Sequence, residues 1–221
     1  MPDDTSKNRD RYDVTGNVEA EYVDADQTVL VNKLGISDLE QLQVQEESCL
    51  AKAYELLAGE VRTNTPLTSA LVRHVHERIF GDLFAWAGNW RTVNISKPGV
   101  TWPPPAYIDS HMAELEQNVL QKYPAPRLTA DDAFCKAVAE IQGEFLVIHP
   151  FREGNARTIK LVTDLLAAQT GRPFLAYDQS DRGRDQYIAA ASQAFGHNYA
   201  PMDKIIAEAL QTARRSPPAR P

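Results

Sequence analysis

Long apolar runs are missing from this chain: nowhere do the roughly 20 consecutive hydrophobic residues of a membrane-spanning helix occur. The opening Met-Pro-Asp-Asp-Thr-Ser-Lys-Asn is polar and lacks the apolar core of a secretory signal, so the expected compartment is the cytoplasm, with no membrane association. Cysteine is scarce. Cys49 and Cys135 stand far apart in a chain without an export signal and read as two buried thiols, not a disulfide. Positive charge is in deficit, 23 Lys and Arg against 30 Asp and Glu, and the formal charge of −7 argues against a nucleic-acid partner. There is no Cys-x-x-Cys pair, no His-Glu-x-x-His, no P-loop and no Gly-x-Ser-x-Gly elbow. His74 and His76 lie two apart and would diverge by about 200° on a helix, so they read as surface or core histidines rather than metal ligands.

What is present suffices for one core: 221 residues, 43% hydrophobic and 24% charged. Residues 1–11 read as a disordered N-terminus and 12–35 as an extended arm. Ser37 or Asp38 can cap a helix that ends near Ala58 with Gly59 as its stop. Pro66 and Thr68 open a second helix with Leu71, Val75 and Ile79 on one face. Val93 and Ile95 then alternate with Thr92 and Asn94, Pro98-Gly99 makes a turn, and residues 100–102 resume an extended pattern, predicting a short β-hairpin. Helices follow over about 106–121 and 130–147, the latter entered through a Thr129/Asp132 capping box. Further helices are expected over 158–169 (closed by Gly171), 181–195 and 201–213, before a basic, Pro-rich tail at 214–221. No internal repeat is present. The expectation is a mainly α domain over 12–213, a compact helical bundle with one hairpin.

The densest chemistry lies at residues 149–160, His-Pro-Phe-Arg-Glu-Gly-Asn-Ala-Arg-Thr-Ile-Lys, between two helical patterns. A loop feeding a helix N-terminus offers free backbone N–H groups to an anion. His149 titrates near neutrality and can take a proton from an attacking hydroxyl. Glu153 is a hard oxygen donor suited to Mg²⁺ shared with phosphates. Gly154 permits a close backbone approach, Asn155 is a good N-cap or ligand contact, and Arg157 on the first turn suits bidentate phosphate binding. Phe151 reads as a core anchor.

Together these residues resemble the Fic/Doc signature, H-P-F-x-[D/E]-G-N-G-R-x-x-R. Asn32-Lys33-Leu34-Gly35-Ile36 and Phe80-Gly81-Asp82-Leu83-Phe84-Ala85-Trp86-Ala87-Gly88 are similar to further landmarks of that family, so the resemblance runs over about 12–210. It implies a Fic fold and transfer of AMP from ATP to a Ser, Thr or Tyr hydroxyl of a target protein. By motif position it makes His149 the general base and Glu153 the Mg²⁺ ligand. Gly154, Asn155 and Ala156 become the anion hole, and Arg157 and Lys160 the phosphate-binding cations. Val93, Asn94, Ile95, Ser96 and Lys97 fall where the family has the flap that holds the target segment by strand addition. Tyr187 and Asn198 lie where relatives approach the nucleotide base, and read here as core and turn residues.

Two positions depart from the signature. Ala156 replaces its second glycine, which strains the loop only if that site needs φ > 0. Lys160 replaces its last arginine, keeping the charge but losing the planar fork. Many relatives carry an inhibitory helix, [S/T]-x-x-x-E-[G/N]; the nearest match, at 15–20 around Glu19, has the wrong last residue and poor helix formers. Inhibition is therefore expected from a separate small antitoxin chain or from oligomerisation, as for a toxin- or effector-type protein. The competing readings are a Fic-like transferase with another nucleotide or phosphate donor, and a non-catalytic scaffold that binds a partner through its flap.

Overall fold

The structure, a computed structural model, describes residues 17–215 apart from 25, 61, 63 and 98; what the sequence predicts for residues 1–16 and 216–221 lies outside the described residues. The chain passes through an extended arm with a 3-10 turn, Val18–Ala20, and an isolated antiparallel bridge between Tyr22 and Leu30. Seven α-helices follow among the described residues: α1 (Leu39–Glu60), α2 (Ser69–Phe80), α3 (Ile108–Leu115), α4 (Asp131–Ile148), α5 (Asn155–Gln169), α6 (Asp181–Gln193) and α7 (Ala200–Arg215). Between α2 and α3 lies an antiparallel hairpin, β1 (Ser96–Lys97) with β2 (Val100–Thr101), in the register Ser96↔Thr101 and Lys97↔Val100. Gly99 turns it at φ 82°, a left-handed conformation that glycine adopts without strain.

The bundle is built round α4. Phe134, Val138, Ile141 and Phe145 are fully buried, and so are Ala137, Ala139 and Gln142 on other sides of the same helix. A helix buried over so wide an arc, with charged residues along the one strip of Asp132, Lys136, Glu140 and Glu144, belongs in the middle of a core. α3, α5, α6 and α7 pack round it, while α1 and α2 pair beside α5. Each buried Phe of this cluster contributes about 1.5–3 kcal/mol. The thiols of Cys49 on α1 and Cys135 on α4 are buried and unpaired, and burial pushes Cys135 up to about 11. The two upstream landmarks meet in space: the Lys33 N–H donates to the Leu83 carbonyl (2.7 Å) and the Lys33 ammonium to that of Gly81 (2.6 Å).

Several helix ends differ from expectation for local reasons. α1 runs through Gly59 to Glu60, whose carboxylate is held by His74 and Arg78 of α2. The expected capping box does not form. Ala130 is the N-cap of α4, Asp132 pairs with Lys136, and Arg172 takes the Thr129 carbonyl and the Asp131 carboxylate. The 106–121 segment is a 3-10 turn, then α3, then a π turn at Glu116–Leu120. Arg214 and Arg215, read as tail, end α7, where Arg214 pairs with Asp131. Gly171 closes α5 as expected, at φ 75° behind the C-cap Thr170.

Candidate active site

α4 stops at Ile148, and His149 leaves it in a left-handed conformation (φ 51°, ψ 60°), its N–H still donating to the Phe145 carbonyl (2.9 Å). Such a backbone costs a non-glycine residue about 1–2 kcal/mol. The Pro150 ring bars a further helical turn. Phe151 is fully buried, stacked on His76 at 3.7 Å and tilted against Trp90 at 4.8 Å, as its reading as an anchor requires. The loop is braced across its neck. The Asn155 amide accepts from the Phe151 N–H and donates to the Phe151 carbonyl, both at 2.9 Å. Asn155 is therefore the first residue of α5 rather than its cap, and its side chain is committed to the loop.

Gly154 is the N-cap, at φ 78°. A β-carbon there would sit 2.2 Å from the Phe80 ring, so both conformation and space demand glycine. Ala156, second in α5, takes no positive φ, so its methyl costs the backbone nothing. The first i→i−4 bond of α5 runs from the Thr158 N–H to the Gly154 carbonyl (2.9 Å), leaving the amides of residues 155–157 without an intrahelical acceptor four residues back.

Two residues that sequence reasoning did not single out for the site hold this loop from behind. His76, fully buried, accepts from the Gly88 N–H on Nδ1 (2.8 Å) and donates from Nε2 to the Glu153 carbonyl (3.1 Å). Burial lowers it to about 3, so it is a neutral strut of fixed tautomer. Arg91, only 2% exposed, donates to the carbonyls of His149 (2.9 Å), Val93 (2.8 Å) and Pro103 (2.6 Å), and burial lowers it to about 10. Neither role leaves a mark on local periodicity, because both are set by contacts distant in sequence.

In front of the loop opens a cleft of about 1680 Å³, walled by the hairpin, α6 and the segment before it, and α7. All the candidate residues meet on it: His149, residues 153–157, Lys160 and hairpin residues 93–97. The His149 imidazole lies 4.2 Å from the Trp102 ring. Its Nδ1 is 3.3 Å from the Leu146 carbonyl, which fixes the proton there and leaves Nε2 with a free lone pair. Burial chiefly lowers His149 to about 4, assisted by Lys97 and Arg91 and opposed by the Leu146 carbonyl and Glu153.

Glu153 is exposed at the cleft, with one oxygen accepting from the Gly154 N–H (3.0 Å) and lying 3.8 Å from the Arg157 guanidinium. Arg157 also lies over the Phe80 ring at 4.7 Å and pairs with Glu46 of α1 at 2.7 Å. The Lys160 ammonium sits between Tyr177 (4.3 Å) and Tyr187 (4.1 Å). Both ring hydroxyls are tied to the buried Gln142 amide, at 2.7 and 2.8 Å, which makes the cage rigid. Burial lowers Lys160 to about 8, with Asp164 opposing; burial raises Asp164 itself to about 6. Tyr187, read from sequence as core, thus forms part of the site's floor.

Residues 66–167 match the Fic/DOC family. This stretch is a Fic domain. It contains α2, the hairpin, α3, α4 and nearly all of α5, hence every candidate residue. The chain is 29% identical over 151 residues to protein adenylyltransferase VbhT of Bartonella schoenbuchensis, covering 68% of this chain but only 31% of that protein. It is 27% identical over 174 residues to the probable protein adenylyltransferase y4lH of Sinorhizobium fredii, covering 79% of this chain and 87% of that one. Among solved structures, the Fic domain of Bep8 from Bartonella sp. 1-1C superposes with a TM-score of 0.75 at 18% identity, over 89% of this chain and 97% of that one. BepC of Bartonella tribocorum, solved with bound AMPPNP, gives 0.69 at 21%, over 87% and 97%. At those identities the likeness is one of fold: the Fic fold, mainly helical with its small hairpin.

Proposed function

We propose that the cleft is a protein adenylyltransferase centre, which moves AMP from ATP to a Ser, Thr or Tyr hydroxyl of a target protein. The observation that carries this reading is His149, with Nε2 unprotonated, lining the same cleft as residues 155–157, whose amides open α5 with no acceptor four residues back. In the step proposed, the target hydroxyl oxygen bonds to the α-phosphorus and the bond from that phosphorus to pyrophosphate breaks. The hydroxyl proton passes to Nε2 of His149. The α5 amides, Arg157 and Lys160 would bind phosphate oxygens, and this chemistry asks for position and charge more than for covalent participation. The relatives named protein adenylyltransferases and the AMPPNP-bound neighbour support the choice of donor.

Glu153 fits a Mg²⁺ ion. It is a hard carboxylate, 52% exposed on its side chain, beside the phosphate-binding amides, and this cation takes one or two carboxylates with substrate phosphates. Bound there, the ion would neutralise charge on the phosphates. The hairpin fits a strand-adding target: among the described residues its sheet has two strands, so each keeps an unpaired outer edge. The same reading puts the protein in the cytoplasm, where ATP is, as a toxin or effector restrained by a separate small chain. The nearest internal candidate for that restraint, Glu19, is buried, with its carboxylate accepting from the Thr92 N–H at 2.7 Å.

Incubation with α-labelled ATP, Mg²⁺ and cell lysate should label a discrete protein band, and His149→Ala should reduce labelling by about 10²–10⁴ while the fold persists. Equal labelling by the variant overturns the role of His149. Absence of labelling by the wild type with any nucleotide overturns the transferase reading in favour of a scaffold.

A further inference from the structure

Arg91 is a buried charge whose hydrogen-bond partners among the described residues are all neutral. Its guanidinium donates to three carbonyls, while the buried Glu19 carboxylate, held by the Thr92 N–H, acts on it through space without a hydrogen bond. Burying a guanidinium is costly, and here the Glu19 charge offsets that cost only in part; an apolar side chain would fill the same space without it. What only arginine supplies is a planar fork that reaches several acceptors in one geometry. Each carbonyl belongs to a different piece of the site: His149 at the end of α4, Val93 at the ascending foot of the hairpin, Pro103 at its descending foot. The Arg91 main chain adds a fourth tie, from its N–H to the Pro150 carbonyl at 2.8 Å. Trp102 makes a parallel link, its indole N–H donating to the Leu146 carbonyl (3.0 Å) while its ring faces the imidazole at 4.2 Å.

We propose that Arg91 is a positioning residue that fixes the left-handed backbone of His149 and locks it to both feet of the hairpin, so that the place of the base and the place of the target strand are set together. This rests on the reading of His149 as the base. Without the fork, no other hydrogen bond from the described residues holds the His149 carbonyl, and the imidazole is free to drift from its station beside Trp102. The hairpin feet lose their common anchor in the same event. Nucleotide binding, which uses the α5 amides and the cations on α5, is left alone.

The test compares Arg91→Lys, which keeps the charge and loses the fork, with Arg91→Met in the full chain. In wild-type protein the carbon-bound protons of the His149 imidazole should carry a ring-current shift from Trp102, and the Arg91 Nε proton should exchange slowly with solvent. Both variants should lose the ring-current shift, and kcat should fall about 100-fold, the scale expected of a misplacement near 1 Å. The KM for ATP should stay within about twofold, since the misplaced group is remote from the phosphate contacts. A lysine variant that retains both the imidazole shift and kcat overturns the proposal. So does rapid exchange of the Arg91 Nε proton in the wild type, a readout that stands even if both variants fail to fold. A ring-current loss in a protein whose wild type labels nothing would uphold the coupling while refuting the transferase reading.

Discussion

The loop at residues 149–155 and the hairpin tip at 96–101 face each other across one cleft and are built on opposite principles. The loop is braced by committed polar groups: the Asn155 side chain twice to Phe151, His76 to the Glu153 carbonyl, the Gly154 amide to the Glu153 carboxylate. At the tip, Ser96, Lys97, Gly99 and Thr101 are exposed and the ladder is two residues long. Order is concentrated in the loop and withheld at the tip, which suits the proposed division between meeting phosphate charge at fixed positions and accommodating a foreign segment. Two glycines make the contrast concrete. Gly154 and Gly99 share nearly the same φ, 78° and 82°, but an added β-carbon strikes Phe80 at the first and meets nothing within 4 Å at the second.

Gly154→Ala should have the largest effect, adding overpacking to left-handed strain for roughly 3–5 kcal/mol, visible as a lowered denaturant midpoint and lost labelling. A neutral result would mean that the loop yields as readily as the hairpin. Acid should unpick the loop next. His76 is held neutral with its value lowered to about 3, whereas the unfolded chain takes up that proton below about 6.5. The unfolded state therefore binds more protons throughout that window, so the stability His76 contributes is present above about 6.5 and is lost as pH falls toward 3. His149, lowered to about 4, adds to the slope in the same sense, so urea titrations across that range should show both and His76→Phe should lessen the slope without abolishing it. Lys160→Arg sharpens the comparison within the loop's own helix. The lysine sheds its charge as pH rises through about 8, so kcat/KM for ATP should decline there, and the arginine variant should abolish the decline. Gly99→Ala should do least, about 1 kcal/mol of strain with nucleotide binding unchanged.

The motif was readable because its residue types sit within twelve consecutive positions, and the helices because apolar spacing marks their buried faces. Ala156 required the structure: only its place inside α5 decides whether the missing glycine matters. Thr129 and Asp132 spelled a capping box, but Arg172 arrives from far along the chain to claim the neighbouring groups. Glu46 pairs with Arg157, and Arg91 reaches the His149 carbonyl, each across a long stretch of intervening sequence. Charges buried by distant contacts have no local signature, and in this cleft they are the ones that aim the others.

The aromatic cage round Lys160 bears on how quickly a ligand can settle. An ammonium lodged between two rings has already surrendered much of its hydration shell, and its four-carbon stem has already lost its freedom to wander. On the proposed reading, an incoming phosphate would meet a cation whose dehydration and ordering were accomplished when the chain folded.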